Sequence, residues 1–235
     1  ITHHLGFIAG RHEGKVLGLA AFGNPEPFLS RLVAHTNPKG WNALFDAGLT
    51  RVPLRPVSPM GTDVVKELCG ELSREDIAAG LQVYTEQMIC AWVQEQVGKM
   101  NVSKLVLAGG VFSNVKLNQR ILALPGVENI YVHPNMGDGG LAAGAALEVY
   151  SLAKGGLRPA LGGVYLGTQI NRENALHALQ EAGVNFEEPE NLAQTVGRLL
   201  ADGKVVARAD GGMEYGPRAL GNRTVLAPCH DPSIN

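Results

Sequence analysis

The sequence predicts an α/β fold, and three observations carry that prediction. A buried-strand run at Leu105–Ala108 breaks into Gly109-Gly110, and an amphipathic helix begins after Ser113. A second strand, Asn129–His133, runs into Met136-Gly137-Asp138-Gly139-Gly140 and then into an Ala- and Gly-rich helix. Past a glycine- and proline-containing stretch, short strands and helices alternate again as far as Ala209.

Taken in order, Ile1–Ile8 suits a short helix or a strand equally, and Val16–Phe22 reads as a short helix stopped by Gly23 and Pro25. Residues 37–62, rich in Pro, Gly and Asn, read as loop with a short hairpin at most, anchored by Trp41 and Phe45. Ser73-Arg-Glu-Asp76 resembles a capping box, and Ile77, Leu81, Tyr84, Met88 and Trp92 follow at helical spacing. A helix over 74–99 is therefore expected to lie on the sheet, with its Tyr, Met and Trp in the core. Strand 104–108 and the two glycine units extend to about Ala153. Lys154–Pro159 has linker composition, which divides the chain into domains 1–154 and 164–235 joined by 155–163. The second domain is expected to hold a strand at Val164–Leu166, a helix at 172–182, a strand at Val184–Glu187, a helix at 190–202 and a strand at Val205–Ala209.

A chain of 235 residues has room for one large core or two modest ones. With 45% apolar and 18% charged residues and a net charge of -2, it is neither disordered in composition nor polybasic, so small molecules rather than nucleic acid are the expected partners. The three cysteines are far apart and form no CxxC, which disfavours a disulfide framework and points to a reducing cytoplasm. No apolar run reaches the roughly 18–20 residues a bilayer requires, and the N-terminus lacks a signal-peptide pattern. The start at Ile1 and the end at His230–Asn235, in a loop, read as cuts within a longer protein.

A glycine pair followed by a helix lets the backbone approach an anion and aims unsatisfied N–H groups and the positive helix end at it. Such a turn also joins strand to helix for steric reasons alone. Neither GxxxxGK[ST] nor GxGxxG is present, which leaves the actin-like ATPase architecture as the nucleotide fold with paired glycine loops. On the helix after the first loop, Asn114 and Asn118 are within reach of a nucleotide, Asn114 being nearer the glycines. Asp138 suits a metal or a substrate hydroxyl, and equally a cap on the helix from Gly139; the two roles are compatible. His133, before a proline at a strand end, reads as structural. The adjacent His3 and His4 diverge on any regular element and do not share an ion.

Glu13 and Lys15 flank a glycine at a helix start, where a carboxylate can accept ribose hydroxyls and an ammonium can meet phosphate; local sequence favours a solvated charge pair. In Asp210–Arg223, four glycines surround Glu214, Arg218 and Arg223. The arginines offer planar forks for phosphate or carboxylate, with Glu214 to orient one of them, and the same residues equally suit a glycine-rich turn with surface arginines.

Four strings, EGKVLGLAAFG, LAGGVFSNVKLNQRI, MGDGGLAAGAA and GGMEYGPRALGNRTVLA, together resemble the NodU/CmcH family of O-carbamoyltransferases in that family's order, across about the whole chain. The resemblance implies the back half of a Kae1-like, actin-type (ASKHA) ATPase domain followed by the opening of a YrdC-like α/β domain. It implies ATP-dependent transfer of a carbamoyl group from carbamoyl phosphate, through carbamoyl-adenylate, to the hydroxyl of a small-molecule acceptor. By motif, Gly109, Gly110 and Asn114 would contact the nucleotide, with Glu13 and Lys15 beside them. Asp138 would hold a divalent metal, iron or zinc, apart from the Mg2+ that accompanies ATP, and Arg218 and Arg223 would belong to the carbamoyl-phosphate site. The family's other metal ligands, two histidines spaced Hx3H, have no counterpart here, so this piece is expected to be inactive alone. No nucleic-acid or membrane partner is implied, and a homodimer is compatible with it. Related readings are a Kae1-like tRNA threonylcarbamoyl transferase, a hydrogenase-maturation carbamoyltransferase, or a nucleotide-binding module without turnover.

Overall fold

The computed structural model describes residues 1–36, 62–157 and 161–229. Trp41, Phe45 and residues 37–61 of the loop expected over 37–62, with Arg158, Pro159 and the segment from His230 onward, lie outside the described residues, and Thr62 begins a helix. The chain forms two compact units, Ile1–Val132 and His133–Asn235.

The first unit is organised by the helix that the capping pattern predicted. The Ser73 hydroxyl accepts the Asp76 N–H at 3.0 Å, and the helix runs Arg74–Met100 to a left-handed Asn101. Among the described residues, the helices up to this one are, in chain order, α1 (Glu13–Leu19), α2 (Glu26–Thr36), α3 (Thr62–Cys69) and α4 (Arg74–Met100). The first half of α4 buries Ile77, Ala78 and Tyr84 against Leu5, Val16, Phe28, Leu32 and Cys69. A Cβ at Gly80 would stand 2.8 Å from Phe28 Cβ and from the Pro25 oxygen, so α2 crosses α4 at backbone contact. Neither α2 nor α3 was anticipated, although Phe28, Leu29, Leu32 and Val33 carry helical spacing.

The second half of α4 buries Val93 and Val97 against Leu107, Leu117 and Ile121. These belong to β1 (Lys104–Leu107) and α5 (Val115–Leu122), and β2 (Asn129–Val132) pairs parallel with β1 from Lys104↔Asn129 to Leu107↔Val132. The unit is a strand–helix–strand crossover with α4 on its packed face. Trp92 departs from its expected place, being 39% exposed, while Val93 and Val97 take the core. The apolar series steps by four, three, four and four residues, so it drifts around a 3.6-residue helix and leaves the packed face by its end.

In the second unit the elements are α6 (Leu141–Ala153), β3 (Gln169–Ile170), α7 (Arg172–Glu181), α8 (Leu192–Ala201), β4 (Val206–Ala209), β5 (Gly211–Gly212) and β6 (Arg223–Leu226). Asn171 and Asn191 cap α7 and α8 by accepting the N–H groups of Asn174 and Gln194. β4 pairs antiparallel with β6, and β3 with β5. The expected strand at Val164–Leu166 is instead an irregular edge. Tyr215 N–H donates to Val164 O at 2.6 Å, Gly167 N–H to Met213 O at 2.9 Å and Met213 N–H to Thr168 O at 3.1 Å. A regular ladder forms only at Gln169–Ile170, because the chains approach too closely before it: a Cβ on Gly212 would lie 2.6 Å from Tyr165 O. Val184–Glu187 is not a strand either; Val184 N–H turns back to Leu179 O at the end of α7. Among the described residues, no helix is long and apolar enough to cross a membrane.

Candidate functional site

In the first unit, Gly109 sits at φ 124, a backbone region that L side chains rarely adopt, and turns the end of β1 into a short 3₁₀ helix at Gly110–Ser113. Asn114 follows as the cap of α5, its side-chain oxygen accepting Leu117 N–H at 3.0 Å. That amide is also held from α4: Asn114 Nδ2 donates to Gln82 Oε1 at 2.8 Å, and Gln82 Nε2 donates back at 3.2 Å. Gln82 further donates to Glu86 Oε1 at 2.8 Å, and Arg120 Nε donates to Glu86 Oε2 at 3.2 Å. Glu86 is 8% exposed, so this chain of polar contacts is a partly buried tie between α4, the glycine loop and α5. Sequence reading missed Gln82, Glu86 and Arg120; the signal was a polar pair one turn apart on an otherwise apolar helix face. Asn118 donates to Phe112 O at 2.8 Å, and its own buried oxygen has no partner among the described residues.

Glu13 and Lys15 lie exposed in the first turn of α1, which packs on α4. Glu13 accepts Gly10 N–H at 2.7 Å and closes the turn ahead of its helix. These residues and Asn114 thus share one scaffold, α4. A surface groove of about 370 Å³ lined by Arg31, Ala34, His35, Val64, Glu67 and Leu68 contains none of the candidates.

In the second unit, Asp138 opens the 3₁₀ turn Asp138–Gly140 ahead of α6, and no side-chain capping bond forms at either start. The capping alternative for Asp138 is therefore not realised. Gly140 is required where it stands, since a Cβ there would meet Asn135 O at 2.2 Å. His133 Nδ1 lies 2.9 Å from Asn135 O, and a carbonyl only accepts, so that nitrogen carries the proton. The His133 ring meets Tyr215 edge-on, centroids 5.7 Å apart. Gly216, at φ +120, lies against Pro134 so closely that a Cβ would stand 2.3 Å from its oxygen. The Asp138 loop and the Asp210–Arg223 loop thus touch through two pairs, His133–Tyr215 and Pro134–Gly216. The Tyr215 hydroxyl is buried there without a hydrogen-bond partner among the described residues.

The sequence offers Glu214 to orient an arginine; in the structure its carboxylate gathers backbone N–H groups, and the Arg223 guanidinium goes to carbonyls instead. Glu214 Oε1 accepts the N–H groups of Leu220 at 2.8 Å, Asn222 at 2.8 Å and Arg223 at 3.1 Å. Burial pushes this carboxyl up, but the backbone donors, Leu220 first, outweigh burial and hold it at about 2. The Arg223 guanidinium reaches carbonyls: Asp210 O at 2.6 Å, Thr168 O at 3.0 Å, Gly211 O at 3.2 Å and Asn222 O at 3.3 Å. Arg218 stands exposed on the turn that Glu214 closes.

Among the described residues, no group of three or more His, Cys, Asp or Glu side chains comes together that could hold a metal ion. A lone Asp138 falls short of the roughly three protein ligands of a catalytic metal, so the residues present do not make such a centre by themselves.

Glycine turns on a parallel strand pair in the first unit and an arginine loop folded around a carboxylate in the second belong to a mixed α/β protein. Residues 1–147 match the carbamoyltransferase N-terminus and residues 197–235 the carbamoyltransferase C-terminus, and the chain belongs to the carbamoyltransferase family. Over 98% of the chain it is 30% identical to an uncharacterized protein of Methanocaldococcus jannaschii, of which it covers 39%. It is 31% identical to nodulation protein NolO of Bradyrhizobium diazoefficiens over 92% of this chain and 40% of the relative. Nodulation protein U of Azorhizobium caulinodans is 29% identical over 68% of this chain and 28% of that protein. The chain thus spans well under half the length of these curated relatives.

Proposed function

We propose that this chain is part of an ATP-dependent O-carbamoyltransferase, with residues 1–154 from a Kae1-like, actin-type domain, 155–163 a linker and 164–235 the opening of a YrdC-like domain. Carbamoyl phosphate and water give carbamate and phosphate; carbamate attacks the α-phosphorus of ATP, pyrophosphate leaves and carbamoyl-adenylate forms. The acceptor oxygen then attacks the carbamoyl carbon and AMP departs, the hydroxyl proton passing to a base or to solvent. Small hydroxyl compounds are the acceptors, and the cytoplasm the setting.

The observation that carries the reading is the Asp210–Arg223 loop, closed around Glu214, with a guanidinium on its exposed turn and the Asp138 loop against its side. Arg218 supplies a positive fork to the phosphate of carbamoyl phosphate, and Arg223 braces the loop through the carbonyls it reaches. Gly109, Gly110 and Asn114 serve the nucleotide, flanked by Glu13 and Lys15. Asp138 contributes one ligand to a divalent ion completed by residues outside this chain.

The test uses the full-length protein containing this chain, given carbamoyl phosphate and ATP, with pyrophosphate release as readout. Arg218→Ala is expected to impair use of carbamoyl phosphate while ATP binding is kept. Equal loss of both would place Arg218 in the wrong site, and no pyrophosphate release under any divalent ion would overturn the enzyme reading.

A further inference from the structure

A glycine-rich loop beside an arginine invites the view that its backbone N–H groups are the anion site. In this loop three of those groups are already taken by one carboxylate. The Leu220, Asn222 and Arg223 N–H groups converge on one Glu214 oxygen at 2.8, 2.8 and 3.1 Å, and Arg223 N–H also reaches the second oxygen at 3.1 Å. Glu214 is 9% exposed, so water competes little for these contacts. The carboxylate therefore does inside the chain what a bound anion does in a phosphate loop, and it draws residues 214–223 into a closed ring. Three further contacts fix the outside of that ring: Gly221 N–H donates to Thr224 Oγ1 at 2.9 Å, Asn222 Nδ2 to Gly212 O at 2.8 Å, and Tyr165 hydroxyl to Leu220 O at 2.9 Å. Arg218 lies on the arc between the carboxylate and its first donor, Leu220.

Resting on the reading of Arg218 given above, we infer that Glu214 is the positioning residue of the carbamoyl-phosphate site: its carboxylate closes the loop on backbone N–H groups and so sets where the Arg218 fork stands. The phosphate is met by the side chain of Arg218, while the Leu220, Asn222 and Arg223 N–H groups stay with the protein's own anion. Glutamine has the shape of glutamate but turns an N–H₂ toward donors wherever its nitrogen falls, and it lacks the charge that draws several N–H groups to one oxygen. Aspartate keeps the charge and withdraws it by one methylene.

The test measures KM for carbamoyl phosphate and for ATP, with kcat, in the full-length protein carrying Glu214→Gln, Glu214→Asp or Arg218→Ala. Hydrogen bonds to a charged group are worth enough that Glu214→Gln should raise KM for carbamoyl phosphate about tenfold to a hundredfold, with KM for ATP unchanged. Glu214→Asp should recover part of that loss, and it serves as the readout where the glutamine variant fails to fold. If Arg218→Ala is impaired while both Glu214 variants keep the parent KM for carbamoyl phosphate, the positioning role is overturned and the reading of Arg218 stands. If Arg218→Ala leaves that KM unchanged, the reading of the loop fails and this inference with it. A rise of both KM values together would make Glu214 a general folding residue and also overturn the inference.

Discussion

Replacing Gly216 by alanine tests whether the Asp138 loop and the arginine loop are seated on one another as described. Two penalties fall on the same atom. The backbone at φ +120 is a conformation that an L residue holds at a cost of about 1–3 kcal/mol. The new Cβ would also stand 2.3 Å from Pro134 O, a backbone atom that cannot rotate away as a flexible side chain would. Relief requires the two loops to part, weakening the Tyr215–His133 edge contact 5.7 Å between centroids. The expected total is about 3 kcal/mol or more, large against the roughly 5–15 kcal/mol that holds a domain folded. Thermal unfolding of the full-length protein reads the stability, and pyrophosphate release at varied carbamoyl phosphate reads the site. Gly197→Ala is the control: it lies in α8 with nothing within 4 Å of the added methyl, and should stabilise by about 0.5–1 kcal/mol. A Gly216→Ala protein with the parent's melting temperature and carbamoyl-phosphate dependence would refute the contact between the loops.

Phe28→Ala empties a site that is 0% exposed and should cost about 3–5 kcal/mol in urea unfolding, whereas Trp92→Ala, at a residue 39% exposed, should cost clearly less. Asn114→Ala removes the cap of α5 and strands the Gln82 amide, for a loss of about 1–2 kcal/mol; Asn114→Asp, which keeps the capping oxygen, should recover part of it in the same assay. The Glu214 carboxyl is lowered on folding from 4.5 to about 2, so its contribution is present above the unfolded value and fades as pH falls toward the folded one. Acid unfolding should therefore show a stability difference between the parent and Glu214→Gln that is full at pH 6 and shrinks steadily between about 4.5 and about 2.

Where the chain's local preferences and its tertiary packing agree, the sequence was readable. The Ser73 cap, α4, β1, α5, β2 and α6 fall where glycine breaks and hydrophobic period place them, because each is bounded by a residue with a strong backbone preference. The edge at Val164–Ile170 was harder to read: its apolar run suggests a strand at 164–166, but a close crossing at Gly167 and Gly212 pushes the regular ladder on to Gln169–Ile170. Trp92 misled because aromatic bulk outweighed a drift in helical phase. In the site, residue types were legible and partners were not. Glu214, Arg218 and Arg223 stand out as charges among glycines, but nothing in a linear sequence tells whether a carboxylate will take a guanidinium or three backbone N–H groups. The contact of His133 with Tyr215 joins residues about eighty positions apart, beyond any periodic signal.

The glycines of the two loop systems turn out to have different physical jobs, and this decides how each loop can meet an anion. Gly109 permits a turn at φ 124 between a strand and a helix, and Asn114, Gln82 and Glu86 brace the loop from α4. In the arginine loop, Gly212 and Gly216 instead remove Cβ atoms that would strike Tyr165 O and Pro134 O. Their role there is close approach of protein to protein. An anion drawn to the Leu220, Asn222 and Arg223 N–H groups would have to displace Glu214, which is tethered at the site and favoured over any free competitor by its effective concentration. The ring closed by Glu214 therefore sets the backbone on which Arg218 stands, on the exposed turn between the carboxylate and Leu220.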